Sequence, residues 1–213
     1  MKARFATLPL VVLAAAFLTL AGCGGGEEVD LDVDTTGVVT DMGQEEEMTA
    51  VAMLEPTEGN NARGTVTFTQ MDGAVQVQAD LTGLAPGQHG FHVHENGDCS
   101  NNAEAAGGHF APQGNPHGAP DAPMGQRHVG DFGNLDVGAD STANYTRVDS
   151  LIALEGMNSI VGKAVVIHAN ADDLQSQPSG NSGPRVACGV VQMQGAGMDM
   201  MQDTSAVADP ATL

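Results

Sequence analysis

The chain has 213 residues, enough for one ordinary domain with extensions and short for two well-packed domains. Its 27 acidic side chains outnumber 7 basic ones and give a formal net charge of −20, which excludes nucleic acid as an expected partner. Many glycines, no tryptophan and short apolar runs rich in Val and Ala favour strands and loops over long helices.

Residues 1–22 are predicted to be a signal peptide. Lys2 and Arg4 lead an apolar run, Phe5 to Leu20, and Leu20-Ala21-Gly22-Cys23 follows. A lone transmembrane helix is the alternative, but the run is short for a bilayer and ends in small residues before a cysteine. The pattern resembles a lipobox. It therefore implies cleavage before Cys23, lipid on its sulfur, and attachment to a membrane of the cell envelope facing the periplasm or the exterior.

Residues 23–48 are predicted to form a flexible tether between that lipid and a domain. From Gly24 to Met48 the chain carries nine acids and no base, and it starts with three glycines, a composition that repels itself and stays extended. Loss of the signal lowers the basic count to 5 with all 27 acids retained, a charge of −22. Residues 195–213 lack clear periodicity and are predicted to be a disordered tail without an assigned function.

Residues 49–194 are predicted to form one all-β domain, because apolar runs alternate with turn-forming residues and no helical periodicity appears. Met71-Asp72-Gly73 joins two of the runs and indicates a hairpin. The expected fold is an eight-stranded Greek-key β-barrel or immunoglobulin-like sandwich. Seven strands are clear and an eighth is expected near His128 to Leu135; the seven are Ala50–Leu54, Gly64–Gln70, Ala74–Leu81, Gln88–Glu95, Ala143–Ile152, Ala164–His168 and Arg185–Met193.

Two interruptions, Asn96 to Arg127 and Ala169 to Pro184, are too long for ordinary turns. Both begin or end beside histidines. Long loops without a periodic pattern are typically functional or disordered, and this placement favours two site-forming loops.

All seven histidines lie in this domain, within eighty residues of one another: His89, His92, His94, His109, His117, His128 and His168. A single histidine is more often a structural residue than a ligand, but seven together favour a metal site. In the strand Gly90-Phe91-His92-Val93-His94, alternation points both imidazoles to one face and Phe91 and Val93 to the other.

The ligand types predict two different metals. Three nitrogens and one oxygen from His109, His117, His128 and Asp131 suit a closed tetrahedral zinc site. The remaining imidazoles, without a thiolate, suit copper. Cys99 and Cys188 remain after lipidation of Cys23, and an exported compartment permits them to pair, with two unpaired thiols as the alternative.

Four segments resemble copper/zinc superoxide dismutases, in the order of that family. They are Gly90-Phe91-His92-Val93-His94-Glu95, Gly107-Gly108-His109-Phe110, Arg127-His128-Val129-Gly130-Asp131 and Arg185-Val186-Ala187-Cys188-Gly189-Val190. The resemblance spans roughly Thr49 to Gln194. Such an ordered set is far more specific than any one of its motifs.

The resemblance implies a role for each matching residue. His92, His94, His109 and His168 match copper ligands, and His109, His117, His128 and Asp131 match zinc ligands, with His109 as the bridging imidazolate. Asp172 matches the carboxylate that hydrogen-bonds His92 and His117, and Cys99 and Cys188 match the intrasubunit disulfide. Arg185 matches the residue that orients the incoming anion beside the copper, and His89 matches a structural histidine.

The implied activity is dismutation of superoxide to oxygen and hydrogen peroxide, with copper and zinc as cofactors, in protection of the cell envelope. The expected partners are superoxide and the membrane; a homodimer stays open, because the segment Cys99 to Glu104 is short. A non-catalytic copper/zinc-binding module is the second hypothesis, and a purely structural β-domain is the third. The complete ligand set together with Arg185 favours the enzyme over both.

Overall fold

The computed structural model describes residues 47–195. The predicted signal peptide, the lipid site at Cys23, the tether up to residue 46 and the tail from residue 196 lie outside the described residues. Between residues 47 and 195, no helix is long and apolar enough to cross a bilayer.

Strands dominate the described chain, and its helical structure is limited to the 3-10 turn Glu104–Ala106. The strands are β1 Thr49–Pro56, β2 Arg63–Met71, β3 Ala74–Thr82, β4 Gly87–His94, β5 Asp131–Val137, β6 Thr142–Asp149, β7 Ala164–His168, β8 Arg185–Val190 and β9 Gln192–Met193. The predicted hairpin joins β2 to β3, where Met71 pairs with Ala74 and Gly73 takes a positive φ of 71°.

The strands form one antiparallel sheet in the order β5-β4-β7-β8-β1-β2-β3-β6, and the two-residue β9 lies beside β1. The chain crosses from β3 to β4 and from β6 to β7 without pairing them, which is Greek-key connectivity. β5 and β6 are the first and last strands of this order, and a hydrogen bond joins them: the Tyr145 hydroxyl on β6 donates to the Phe132 carbonyl on β5 at 3.0 Å. The sheet is thus nearly closed, and the predicted eight-stranded barrel is confirmed.

The barrel interior is aromatic and aliphatic, and it determines how β4 is oriented. Phe91 lies 5.1 Å from the Phe132 ring, centroid to centroid, and both side chains are fully buried. Because side chains alternate along a strand, Phe91 and Val93 pack in this core while His92 and His94 point to the opposite face. The hydrophobic core thereby fixes two imidazoles on the outer wall of the barrel.

Two predicted strands were too long at their carboxyl ends. β6 ends at Asp149, because that carboxylate accepts the Leu151 N–H at 2.8 Å and turns the chain before Ile152. The last run breaks at Val191, whose N–H donates to the Lys163 carbonyl at 2.9 Å. Before this break β8 pairs with both β7 and β1, and after it β9 pairs with β1 alone.

The strand predicted near His128 begins three residues later, at Asp131. The Asp131 carboxylate accepts the His128 N–H at 2.9 Å and closes a turn there, so His128 lies in the preceding loop. A side-chain acceptor of this kind competes with ladder pairing, and an apolar pattern does not reveal it.

The two long connections are present between β4 and β5 and between β7 and β8. A disulfide joins Cys99 in the first connection to Cys188 on β8, with the Cα atoms 5.7 Å apart. The predicted pairing is therefore confirmed. It closes a loop of 89 positions, and a crosslink of that length stabilises a folded domain by about 2–5 kcal/mol.

Candidate metal centre

Six of the seven histidines meet beneath the two long loops. The four-histidine group consists of His92, His94, His109 and His168, and the histidine–aspartate group consists of His109, His117, His128 and Asp131. Within each group, one potential ligand atom per residue lies within 4.8 Å of all the others. His109 belongs to both groups, so the structure brings together the two sets that the sequence analysis named.

In the four-histidine group, two of the rings are oriented by the strands that carry them and by backbone carbonyls of the loops. His94 on β4 and His168 at the end of β7 each have Nδ1 within hydrogen-bond distance of a backbone carbonyl, that of Gly107 at 2.9 Å and that of Gly183 at 3.0 Å. Their Nε2 atoms face each other at 3.3 Å. Fixing one ring nitrogen leaves the other directed into the group, which is the arrangement that metal-binding imidazoles use.

The other two members are anchored by carboxylates. His92 Nε2 lies 2.7 Å from Asp172 Oδ2, and His109 Nδ1 lies 2.8 Å from Asp131 Oδ1. Their second nitrogens, His92 Nδ1 and His109 Nε2, are buried and have no hydrogen-bond partner in the described part of the chain. Buried nitrogens without a partner are costly, and a metal ion would satisfy them. Four convergent imidazoles without a thiolate fit copper.

Burial keeps the four-histidine group uncharged at neutral pH. Desolvation, joined by repulsion from neighbouring histidines, lowers the pKa of His92 to about 3 and that of His168 to about 4. The same causes lower the pKa of His94 and His109. The rings therefore keep the free lone pairs that a metal ligand needs.

The histidine–aspartate group is organised around one carboxylate. Asp131 Oδ1 lies 2.8 Å from His109 Nδ1 and 3.1 Å from Nδ1 of both His117 and His128. Its Oδ2 accepts the N–H groups of His128 at 2.9 Å and Gly118 at 3.1 Å. Three nitrogens and one oxygen at this spacing fit zinc, which takes such ligands in tetrahedral sites.

One histidine of this second group, His117, has a pKa shift opposite in sign to those of the four-histidine group. Burial lowers the pKa of His117, but the Asp131 carboxylate 3.1 Å from its Nδ1 and the hydrogen bond to Asp172 outweigh burial and raise it to about 9. Burial by itself would raise the pKa of Asp131, but its close contacts with three histidine rings outweigh burial and hold the pKa well below its usual range. A raised histidine pKa beside a lowered carboxylate pKa indicates that this part of the group favours positive charge.

Asp172 joins the two groups. Its carboxylate lies 2.7 Å from His92 Nε2 and 2.9 Å from His117 Nε2, as the resemblance implied. Asn134 on β5 holds the Asp172 backbone, accepting its N–H at 2.7 Å and donating to its carbonyl at 2.9 Å. A Cβ at Gly180 would overlap the Asp172 carboxylate, so only glycine fits there. Sequence analysis missed Asn134 and Gly180, since no local pattern marks them.

Arg185 is half-buried at the start of β8, in register with His168. Its guanidinium donates to the Ala103 carbonyl and, at 2.6 Å, to the Gly107 carbonyl. Its charge adds to the burial that lowers the pKa of His94 and His168. The predicted anion-orienting residue thus lies beside the four-histidine group.

His89 lies outside both groups, as the sequence analysis expected. Its Nδ1 is 2.8 Å from the His168 carbonyl and its Nε2 is 2.8 Å from the Ala85 carbonyl. Both ring nitrogens thus face backbone carbonyls. Because one of these carbonyls belongs to the last residue of β7, His89 supports the end of that strand.

Two comparisons with known proteins agree with this geometry. A family model described as copper/zinc superoxide dismutase matches residues 62–191, more than half of the chain. A solved structure described as that of the clock protein EA4 is 45% identical in sequence, with a TM-score of 0.61. The similarity covers 68% of this chain and 93% of that chain.

Proposed function

This chain belongs to the copper/zinc superoxide dismutase family, and from that premise we propose that it dismutates superoxide at its metal centre. The four-histidine group would hold copper and the histidine–aspartate group would hold zinc. Copper would supply one-electron redox chemistry for the balanced reaction 2 O₂•⁻ + 2 H⁺ → O₂ + H₂O₂. The observation that carries the proposal is the convergence of both ligand sets on the shared ring of His109.

Arg185 would bind and orient the superoxide anion. A guanidinium has five N–H donors, and the carbonyls of Ala103 and Gly107 fix its plane while leaving donors for an anion. It is one of five basic side chains after residue 22, in a chain with 27 acids. Local attraction by Arg185 would therefore matter more than steering by the net charge, which repels anions.

His109 would carry a proton during turnover. Its Nδ1 is held by Asp131, while its buried Nε2 faces the four-histidine group without a hydrogen-bond partner in the described residues. Burial lowers the pKa of the ring, so a proton taken up at Nε2 would be given up readily to a reduced oxygen species.

We also propose that the protein acts at the cell envelope, anchored through lipid on Cys23. Support comes from the sequence pattern of residues 1–23 and the acidic segment that follows. Mass spectrometry of the cell-derived protein tests this: an acylated Cys23 at the new amino terminus is expected, and an unmodified or uncleaved residue 23 would contradict it.

The test of activity uses the full chain loaded with copper and zinc and follows superoxide consumption. His168→Gln removes a ligand from the four-histidine group alone, and we expect it to abolish turnover. Arg185→Met should lower the rate at least about tenfold, since a charge-assisted hydrogen bond to the anion is lost. Arg63→Met, at an exposed position on β2, is the matched control and should keep the full rate. Full metal loading without turnover would instead support the non-catalytic metal-binding module.

A further inference from the structure

His117 lies in no strand or β-bridge, and the next strand, β5, begins only at Asp131. It lies in the long connection between β4 and β5, in a segment that we define as residues 117–121 and name the His117 segment. His92, in contrast, lies on a strand paired on both sides. Ligands on loops are held less precisely than ligands on strands. In a loop, side chains must therefore restrain the backbone in place of the hydrogen bonds between paired strands.

Gln177, in the second long connection, supplies part of that support. Its Oε1 accepts the His117 N–H at 2.9 Å, and its Nε2 donates to the His117 carbonyl at 2.8 Å. Two hydrogen bonds to the backbone of one residue fix both its position and its rotation. Asp172, from the same connection, holds the ring of His117 at 2.9 Å, so backbone and side chain are restrained together.

Arg147, on β6, holds the other end of the segment. Its guanidinium donates to the Pro120 carbonyl, to Asp121 Oδ1 at 2.9 Å and to Asp149 Oδ2 at 3.1 Å. The Asp121 side chain is 88% exposed, so that ion pair contributes little. The contact with the Pro120 carbonyl is different, because the guanidinium itself is anchored on the fully buried carboxylate of Asp149.

Asp149 also connects Arg147 to the segment that carries His128 and Asp131, two further members of the histidine–aspartate group. It accepts two hydrogen bonds from Arg127, at 2.6 and 2.8 Å. Arg127 in turn donates to the carbonyls of His128, at 3.2 Å, and Asp131, at 3.1 Å. One buried carboxylate thus fixes two arginines, and these hold the backbone on both sides of the histidine–aspartate group.

We propose that Gln177 and Arg147 are positioning residues for His117 and, through it, for zinc. The inference rests on the proposed zinc role of the histidine–aspartate group. Neither side chain contacts a ligand atom; each restrains the backbone that carries His117. Their loss would allow the segment to move and would lower the affinity for zinc, while the strand-borne ligands of the four-histidine group keep their positions.

The test uses the copper-loaded full chain and cobalt(II) as a spectroscopic probe of the zinc site. Gln177→Met keeps the length of the side chain, and Arg147→Met keeps an unbranched apolar stem; both remove the hydrogen-bonding groups. Gln175→Met, in the same connection, and Arg63→Met, on exposed β2, are the matched controls. Competition with a chelator measures cobalt affinity, and the visible spectrum reports ligand geometry. We expect about tenfold weaker binding for each single variant, with an altered spectrum, and roughly a hundredfold for the pair.

Unchanged cobalt affinity and spectrum in both variants would overturn the inference, even if thermal unfolding of the metal-free protein showed a loss of stability. Equal losses of copper and cobalt affinity would also overturn it, since they would indicate general loosening. Failure of the proposed function is distinguishable, because absence of turnover with normal cobalt binding would leave this inference standing. Unsubstituted protein that binds no cobalt at this group would overturn the zinc role and this inference with it.

Discussion

The two ligand groups share His109 and are both buried, yet His92 in one and His117 in the other have pKa shifts of opposite sign. In the four-histidine group, desolvation dominates and lowers the pKa of His92 to about 3. In the histidine–aspartate group, Asp131 and Asp172 outweigh desolvation and raise the pKa of His117 to about 9. The contrast indicates that two carboxylate partners, Asp131 and Asp172, outweigh the burial of His117, whereas the single carboxylate partner of His92 does not outweigh its deeper burial.

The largest expected effect comes from removing the carboxylate that distinguishes the groups. Asp131→Asn replaces an anionic oxygen ligand with a neutral, weakly coordinating amide and removes the charge that faces three imidazoles. Loss of an outer partner costs 10–100-fold in affinity, so loss of the ligand itself should weaken zinc binding by about 1,000-fold. Chelator competition measures it, and copper binding at the four-histidine group should persist. Asp136→Asn, at an exposed position on the same strand, is the control, and an equal loss there would contradict the assignment.

The next effect is on the stability of the metal-free protein, where the two groups should produce opposite pH dependences. His92 and His168 have lowered pKa values of about 3 and 4, so their contribution is complete above pH 6.5 and is lost as the pH falls towards 4. His117 has a raised pKa of about 9, so its contribution is complete below pH 6.5 and is lost as the pH rises through 9. We expect maximal stability near pH 6.5, with a steeper decline on the acid side.

Chemical denaturation between pH 4 and 10, with the disulfide intact, measures this curve. Each proton gained or lost changes the slope by about 1.4 kcal/mol per pH unit. His117→Gln should remove the alkaline decline and leave the acid decline. An alkaline decline that persists in that variant would assign it to another group.

The smallest effect is a count of protons. At pH 7, zinc binding should release about one proton, from His117, because a ligand must be deprotonated. Copper binding to the Asp131→Asn protein, which keeps the four-histidine group, should release none, because those rings are already neutral. Calorimetry in two buffers of different ionisation enthalpy measures both. Equal release by the two metals would remove the contrast between the groups.

Much of the fold was predictable because its signals are local. Alternation identified the strands, and Asp72-Gly73 identified the hairpin between β2 and β3. The errors occurred where a side chain replaced a backbone partner: Asp131 delays the start of β5, and Asp149 ends β6 early. Such competition depends on groups brought together by folding, so periodicity alone does not reveal it.

The candidate site divides in the same way. The ligand types and the long loops that carry them were readable, since His-x-His spacing on a strand already sets the direction of His92 and His94. The residues that hold the ligands in place could not be predicted from the sequence. Gln177 meets His117 across 60 positions, and Asn134 meets Asp172 across 38, with no motif to announce either contact.

By itself, the amino-acid sequence determined the all-β class, the chemistry of the ligands and the family, because composition, alternation and motif order are properties of short segments. Tertiary structure decided which nitrogen of each imidazole is free, which histidine has a raised pKa, and which side chains support the loops. Those properties depend on burial and on distances between residues far apart in the chain, and they exist only once the barrel has closed.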